Sequence, residues 1–132
     1  MVLDNVISLF ELFSGEDADE GWSAVITLAV NNVTAMLRDD ADPSDTRLEF
    51  LAAAIANFNV QQIHAGSAKS DYNLYGKTRS DGDSSSVKAA RSLMKEYFQL
   101  CSDLIKPEVL VFKAILGGDH YARCFKRTQN NT

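Results

Sequence analysis

The apolar residues of this chain recur every three or four positions in five separate stretches. This spacing places them along one side of an α-helix. The second stretch is rich in β-branched residues, which leaves a strand as the alternative, but it is far longer than the ~6 residues of an ordinary strand. The spacing therefore predicts an all-α fold, a small bundle of about four to five helices. The predicted helices cover residues 3–14, 22–38, 43–65 (or from 44), 84–105 and 107–116.

Residues that cap or stop helices stand at several of these boundaries. Gly15 can adopt the left-handed conformation that closes a helix. Pro43 fits a first helical position, with Asp42 or Ser44 as the capping side chain. Gly66 is expected to end the third helix.

A long polar stretch follows at Ser67–Asp83. Loops longer than ~12–15 residues are uncommon in compact domains and are often functional. Tyr72 and Leu74 alternate with polar residues, as in a short strand. We therefore predict a long protruding loop or β-hairpin arm between helices three and four, with a plain surface loop as the alternative. The candidate partner contacts on this arm are Tyr72, Leu74, Tyr75, Lys77 and Arg79.

The C-terminal region changes character at Gly117. Residues 107–116 are apolar on nearly every side, which is typical of a helix that is deeply buried or covered by a partner. We predict a bundle domain over 1–116 and a polar tail over 117–132. The residues expected to contact a partner or the core are Val109, Leu110, Phe112, Arg123, Lys126 and Arg127.

Charge is unevenly distributed along the chain. The net charge is −5, with −9 in residues 1–60 and +4 in residues 61–132. Unlike halves allow copies of one chain to attract each other head to tail, with an ordinary solvated surface as the alternative. The bases form no dense cluster of the kind that predicts nucleic-acid binding. We expect no membrane segment and no signal peptide, and hence a cytoplasmic setting.

The few reactive side chains form no recognisable catalytic or metal motif. The chain has two histidines, His64 and His120, and its sequence contains no glycine-flanked serine elbow and no phosphate-binding loop. His120 and Cys124 are four residues apart, but two ligands do not complete a metal site. We therefore predict a protein that is not an enzyme and needs no cofactor or metal. Cys101 and Cys124 are expected to be free thiols, with a bridge between them as the alternative.

The order of elements resembles the small head–tail connector, or neck adaptor, proteins of tailed bacteriophages and prophages. The resemblance lies in the alanine-rich helix Arg47–Phe58, the polar arm at 66–83, the helix around Ala89–Leu93 and the apolar piece Leu110–Ile115. It covers residues 1 to about 116.

The resemblance implies a structural subunit that forms a homo-oligomeric ring between the portal and the tail. Its partners would be the portal protein and adjacent neck or tail proteins, with DNA passing through the channel without sequence-specific contact. The protein would reside in the virion neck, and in the host cytoplasm during assembly. The acids of 16–20 or 39–45 are candidates for the channel wall. The alternatives are a cytoplasmic helical interaction or regulatory module, and a small enzyme that completes its site across subunits.

Overall fold

The structure is a computed structural model that describes residues 1–74 and 85–110, and the side chains of these residues except Glu20 and 67–74. Within these residues the chain is mainly helical and contains no strand, which confirms the all-α prediction. A helical segment at 107–110 reaches the end of the described part. The four complete helices are α1 (Leu3–Ser14), α2 (Glu20–Met36), α3 (Thr46–Leu74) and α4 (Ser85–Leu100).

The third helix, α3, is the centre of the bundle. The other three helices all pack against it, and α1 and α2 also contact each other. Between residues 48 and 57 every side chain of α3 is buried except that of Phe50. Four of these residues are alanines, whose small side chains let the neighbouring helices approach closely. Burial on all sides makes α3 the helix on which the fold depends.

The tertiary contacts define the directions of α1 and α2. Asn5 lies beside Glu49, and Glu16 lies beside His64, so α1 runs in the same direction as α3. Trp22, at the start of α2, also contacts His64, so α2 runs in the opposite direction.

The fourth helix is antiparallel to α3. The Sγ of Cys101 donates a hydrogen bond to the carbonyl oxygen of Arg47, and Arg91 lies over the ring of Phe58. Both α2 and α4 pack mainly on α3, so the central helix lies between them.

The first two helix boundaries follow local capping chemistry. Gly15 has a φ of 72°, and its N–H donates to the carbonyl oxygen of Glu11, which confirms the predicted C-terminal cap of α1. The Asp19 carboxylate accepts a hydrogen bond from the N–H of Trp22 and caps α2. This capping bond satisfies a backbone donor that the helix itself cannot pair.

The predicted start of the third helix was wrong by a few residues. Pro43 and Ser44 lie in a turn, in which the Asp42 carboxylate accepts from both the N–H and the hydroxyl of Ser44. The helix begins at Thr46, and the Asp45 carboxylate accepts from the N–H of Arg47. Asp42 is thus used within the turn, and Asp45 caps the helix.

The predicted end of the third helix was also wrong. Gly66 does not stop α3, which continues to Leu74, so Tyr72 and Leu74 lie in a helix and not in a loop or strand. Gly15 is the one glycine with positive φ among the described residues, so Gly66 keeps a right-handed conformation. Glycine within a helix costs about 1 kcal/mol relative to alanine, a penalty that one helix can absorb. The rest of the predicted arm, 75–83, lies outside the described residues.

The fourth helix ends earlier than predicted, at Leu100, and the chain then turns toward the end of α2. Leu37 and Ile105 form an isolated antiparallel bridge. The Lys106 N–H donates to the carbonyl oxygen of Met36 at 2.9 Å. The chain therefore enters the 107–110 segment beside the C-terminal end of α2.

Candidate interaction surfaces

The outer side of α2 carries no charge. Glu20 is followed by no charged residue before Arg38, although 23% of the whole chain is charged. An ordinary solvent-facing side with this many positions would carry about two charges at that frequency. Leu28, at its centre, is 55% exposed. We call this surface the α2 face, and its exposed residues are Gly21, Ser23, Ala24, Thr27, Leu28, Asn31, Asn32, Thr34 and Ala35.

Acidic residues flank the α2 face at both ends. The linker before α2 contains Glu16, Asp17 and Asp19, and the turn after it contains the acids of 39–42. We call these two segments, 16–19 and 39–42, the acidic linkers. All of their acids are exposed except Glu16, which is half-buried. Such a surface is complementary to one with an uncharged centre and basic groups beside it.

The first acidic linker is fixed against α3. His64 Nε2 lies 3.0 Å from one Glu16 carboxylate oxygen and 3.3 Å from the other. The indole of Trp22 meets the His64 ring edge-on, with 5.4 Å between centroids. His64 was expected at a helix end, but it lies within α3 and positions the acidic linker.

One flank of α4 is basic. Lys88, Arg91 and Lys95 are three and four residues apart, so they share one side of the helix. The Arg91 guanidinium carbon lies 5.7 Å from the centroid of the Phe58 ring, a cation–π distance. We call these three residues the basic stripe, and α3 separates it from the α2 face.

Three aromatic rings from three helices meet at the surface. Phe13 of α1 lies 5.9 Å from Tyr97 of α4 and 6.5 Å from Phe50 of α3, centroid to centroid. Phe50 and Tyr97 are 5.5 Å apart, and Phe50 is 37% exposed. Aromatic pairs at these distances contribute beyond their buried area. The sequence did not reveal this cluster, because its members come from distant segments.

Arg47 joins the start of α3 to the end of α4. Its guanidinium pairs with Asp45 at 2.9 Å and with Asp103 at 3.0 Å, and it also donates to the carbonyl oxygen of Leu100. Hydrogen bonds from Arg47 hold the pKa values of both carboxyls below their usual range. The pKa of Arg47 is correspondingly raised, mainly by its hydrogen bond with Asp45.

A buried carboxylate fixes the start of α1. Glu49 of α3 is only 5% exposed. Its Oε2 accepts from the backbone N–H of Val2 at 2.9 Å and from Nδ2 of Asn5 at 3.1 Å. Charge-assisted hydrogen bonds of this kind offset the cost of burying a carboxylate. Sequence reasoning missed this role, because glutamate at an early helix position usually faces solvent.

The described part of the chain holds one thiol, that of Cys101. Cys101 is free and buried, and burial raises its pKa to about 11, so its reactive thiolate is scarce near neutral pH. Among residues 1–74 and 85–110, no three histidine, cysteine or acidic side chains come together as a metal site. In the same part of the chain, no helix combines the length and apolar character needed to cross a bilayer.

The structure describes only part of the site predicted from the sequence. Tyr72 and Leu74 lie in the last turns of α3, and their side chains are not described. Val109 and Leu110 are partly buried and pack against the core. The remaining predicted contacts lie outside the described residues, and these are Tyr75, Lys77, Arg79, Phe112, Arg123, Lys126 and Arg127.

Comparison with known proteins adds no relative. The chain matches no protein-family model, no curated protein and no solved structure. A functional interpretation therefore rests on the surfaces described above.

Proposed function

We propose that this protein is a non-catalytic structural subunit that assembles head to tail, as a head–tail connector ring between portal and tail in a tailed phage or prophage. One observation carries the proposal: the acidic linkers flank α2, whereas the basic stripe lies on α4, and these two helices each pack against α3. A ring needs two different surfaces that meet in each contact, and opposite charges on separate helices supply such a pair.

The α2 face supports assembly independently of charge. It is a helix side without charge and with one exposed leucine, Leu28, and depletion of charge is a feature of the centre of protein interfaces. It lies between the two acidic linkers, so one partner can contact all three segments. We therefore assign the acidic linkers to a contact with a neighbouring molecule, in place of the channel wall suggested by their charge alone.

The decisive experiment mixes the purified protein with the portal protein encoded in the same genomic neighbourhood. We expect genes for portal, capsid and tail proteins to flank this gene, and electron microscopy to show ring-shaped density on the portal. A neighbourhood without such genes, or a portal that fails to bind the protein, would refute the connector proposal.

A charge variant tests the contact itself. In K88E/K95E, two bases of the basic stripe become acidic, so we expect loss of the assembled species and weaker salt dependence of what remains. Ser8→Glu adds negative charge at an exposed position of α1 and is the matched control. Equal assembly of K88E/K95E and wild type would exclude the basic stripe from the contact.

A further inference from the structure

The α2 face and the acidic linkers together define the chemistry of one binding partner. The face extends from Gly21 to Ala35, about 21 Å at the rise of an α-helix. Its centre favours an apolar segment, because Leu28 is exposed there. Its ends favour basic groups, because the acidic linkers lie on both sides. The partner is therefore an apolar segment with cations close to it in sequence.

This chain contains one segment of that composition. Residues 111–116 are apolar except for Lys113, and three bases follow within 123–127. Over 111–127 the bases outnumber the acids by four to one, which gives the segment a net charge of +3. Its charge and apolar content thus complement the α2 face and the acidic linkers.

The described part of the chain ends close to the C-terminal end of α2. Lys106 bonds to Met36, and Val109 and Leu110 pack against the core. In the proposed head-to-tail assembly, a neighbouring copy offers its α2 face to the segment that follows.

We propose that the α2 face binds the C-terminal segment 111–127 of a second copy of this chain, with the bases of 123–127 against an acidic linker. This inference rests on the proposed head-to-tail assembly and adds a contact to the one between the acidic linkers and the basic stripe. It makes the contact heterologous, because the C-terminal segment of one copy meets the α2 side of the next.

The native Cys124 lies among these bases and allows a direct test by cross-linking of the full-length chain. Two variants place a cysteine in one acidic linker each and lack the native tail thiol: D17C/C124S and D40C/C124S. Each is mixed with wild type and treated with a short thiol–thiol cross-linker. A product between these chains must come from two different molecules, and peptide mass spectrometry identifies the joined residues. S92C/C124S carries its cysteine at an exposed position of α4 outside the basic stripe and is the matched control.

We expect a link from Cys124 to one of the two linker cysteines, roughly tenfold or more above that of the S92C control, because docking raises the effective concentration of the thiols. Replacing Arg123, Lys126 and Arg127 with glutamate should reduce that link to the control level. Equal linking in all three mixtures would overturn the inference. A D17C or D40C chain that retains Cys124 and links only within itself would also overturn it.

These outcomes are independent of the portal experiment. A protein that binds the portal but gives no linker-to-tail product keeps the proposed function and loses this inference. A protein from a genome without portal genes that still gives the product keeps the contact and loses the connector role.

Discussion

The buried carboxylate of Glu49 provides the sharpest test of how the bundle is held together. Its Oε2 accepts from both Val2 and Asn5, and it links the start of α1 to α3. A hydrogen bond to a charged group contributes about 1.5–3 kcal/mol when both partners are retained. Removing a buried carboxylate also recovers part of its desolvation cost. For Glu49→Ala we therefore expect a net loss of about 1–3 kcal/mol in the free energy of unfolding.

Glu49→Gln separates charge from geometry. Both donors converge on one oxygen, and the glutamine carbonyl can occupy that place. Glu49→Gln should therefore lose roughly half as much free energy of unfolding as Glu49→Ala, because neutral hydrogen bonds are about half as strong. Asn5→Ala removes one donor and completes a double-mutant cycle with Glu49→Ala.

Urea unfolding followed by circular dichroism gives these free energies. A Glu49→Ala protein within about 0.5 kcal/mol of wild type, the range of ordinary surface substitutions, would show that the carboxylate does not stabilise α1. Zero coupling between Glu49 and Asn5 in the cycle would refute the shared hydrogen bond specifically.

Three further predictions concern charge, helix continuity and the α2 face. Because the pKa of Asp103 is lowered in the folded protein, its contribution to stability is present above the ordinary aspartate value of 3.8 and is lost as the pH falls below it. Arg47→Ala should flatten this acid-side fall when the melting temperature is measured over a pH series. An unchanged dependence of the melting temperature on pH would contradict the prediction. Gly66→Ala should raise the free energy of unfolding by roughly 0.5–1 kcal/mol, because α3 continues through that position. Gly15→Ala should lower it, because Gly15 has a positive φ. If both variants are less stable than wild type in urea unfolding, α3 ends near Gly66. Leu28→Lys should leave the melting temperature nearly unchanged but weaken assembly in sedimentation experiments, and intact assembly would argue against the α2 face as a contact.

Local sequence patterns predicted the parts of the fold that depend on neighbouring residues. The extent of α1, with its glycine cap, follows from apolar spacing and from the left-handed conformation of Gly15. The same reasoning failed at Gly66 and Pro43, because glycine and proline are tolerated in several contexts and only the surrounding structure selects one. The interaction surfaces were harder still to predict. The aromatic cluster unites Phe13, Phe50 and Tyr97, which only the packing of three helices brings together.

Periodicity and composition are enough to predict that this chain forms helices and that its two halves differ in charge, because both are properties of the linear chain. Tertiary structure decided which helix is central, and it selected α3, whose alanines allow close approach from several sides. It also decided that the acidic linkers flank one uncharged face while the basic stripe lies across α3 from it. Such placement depends on contacts between residues far apart in sequence, and local patterns carry no information about those contacts.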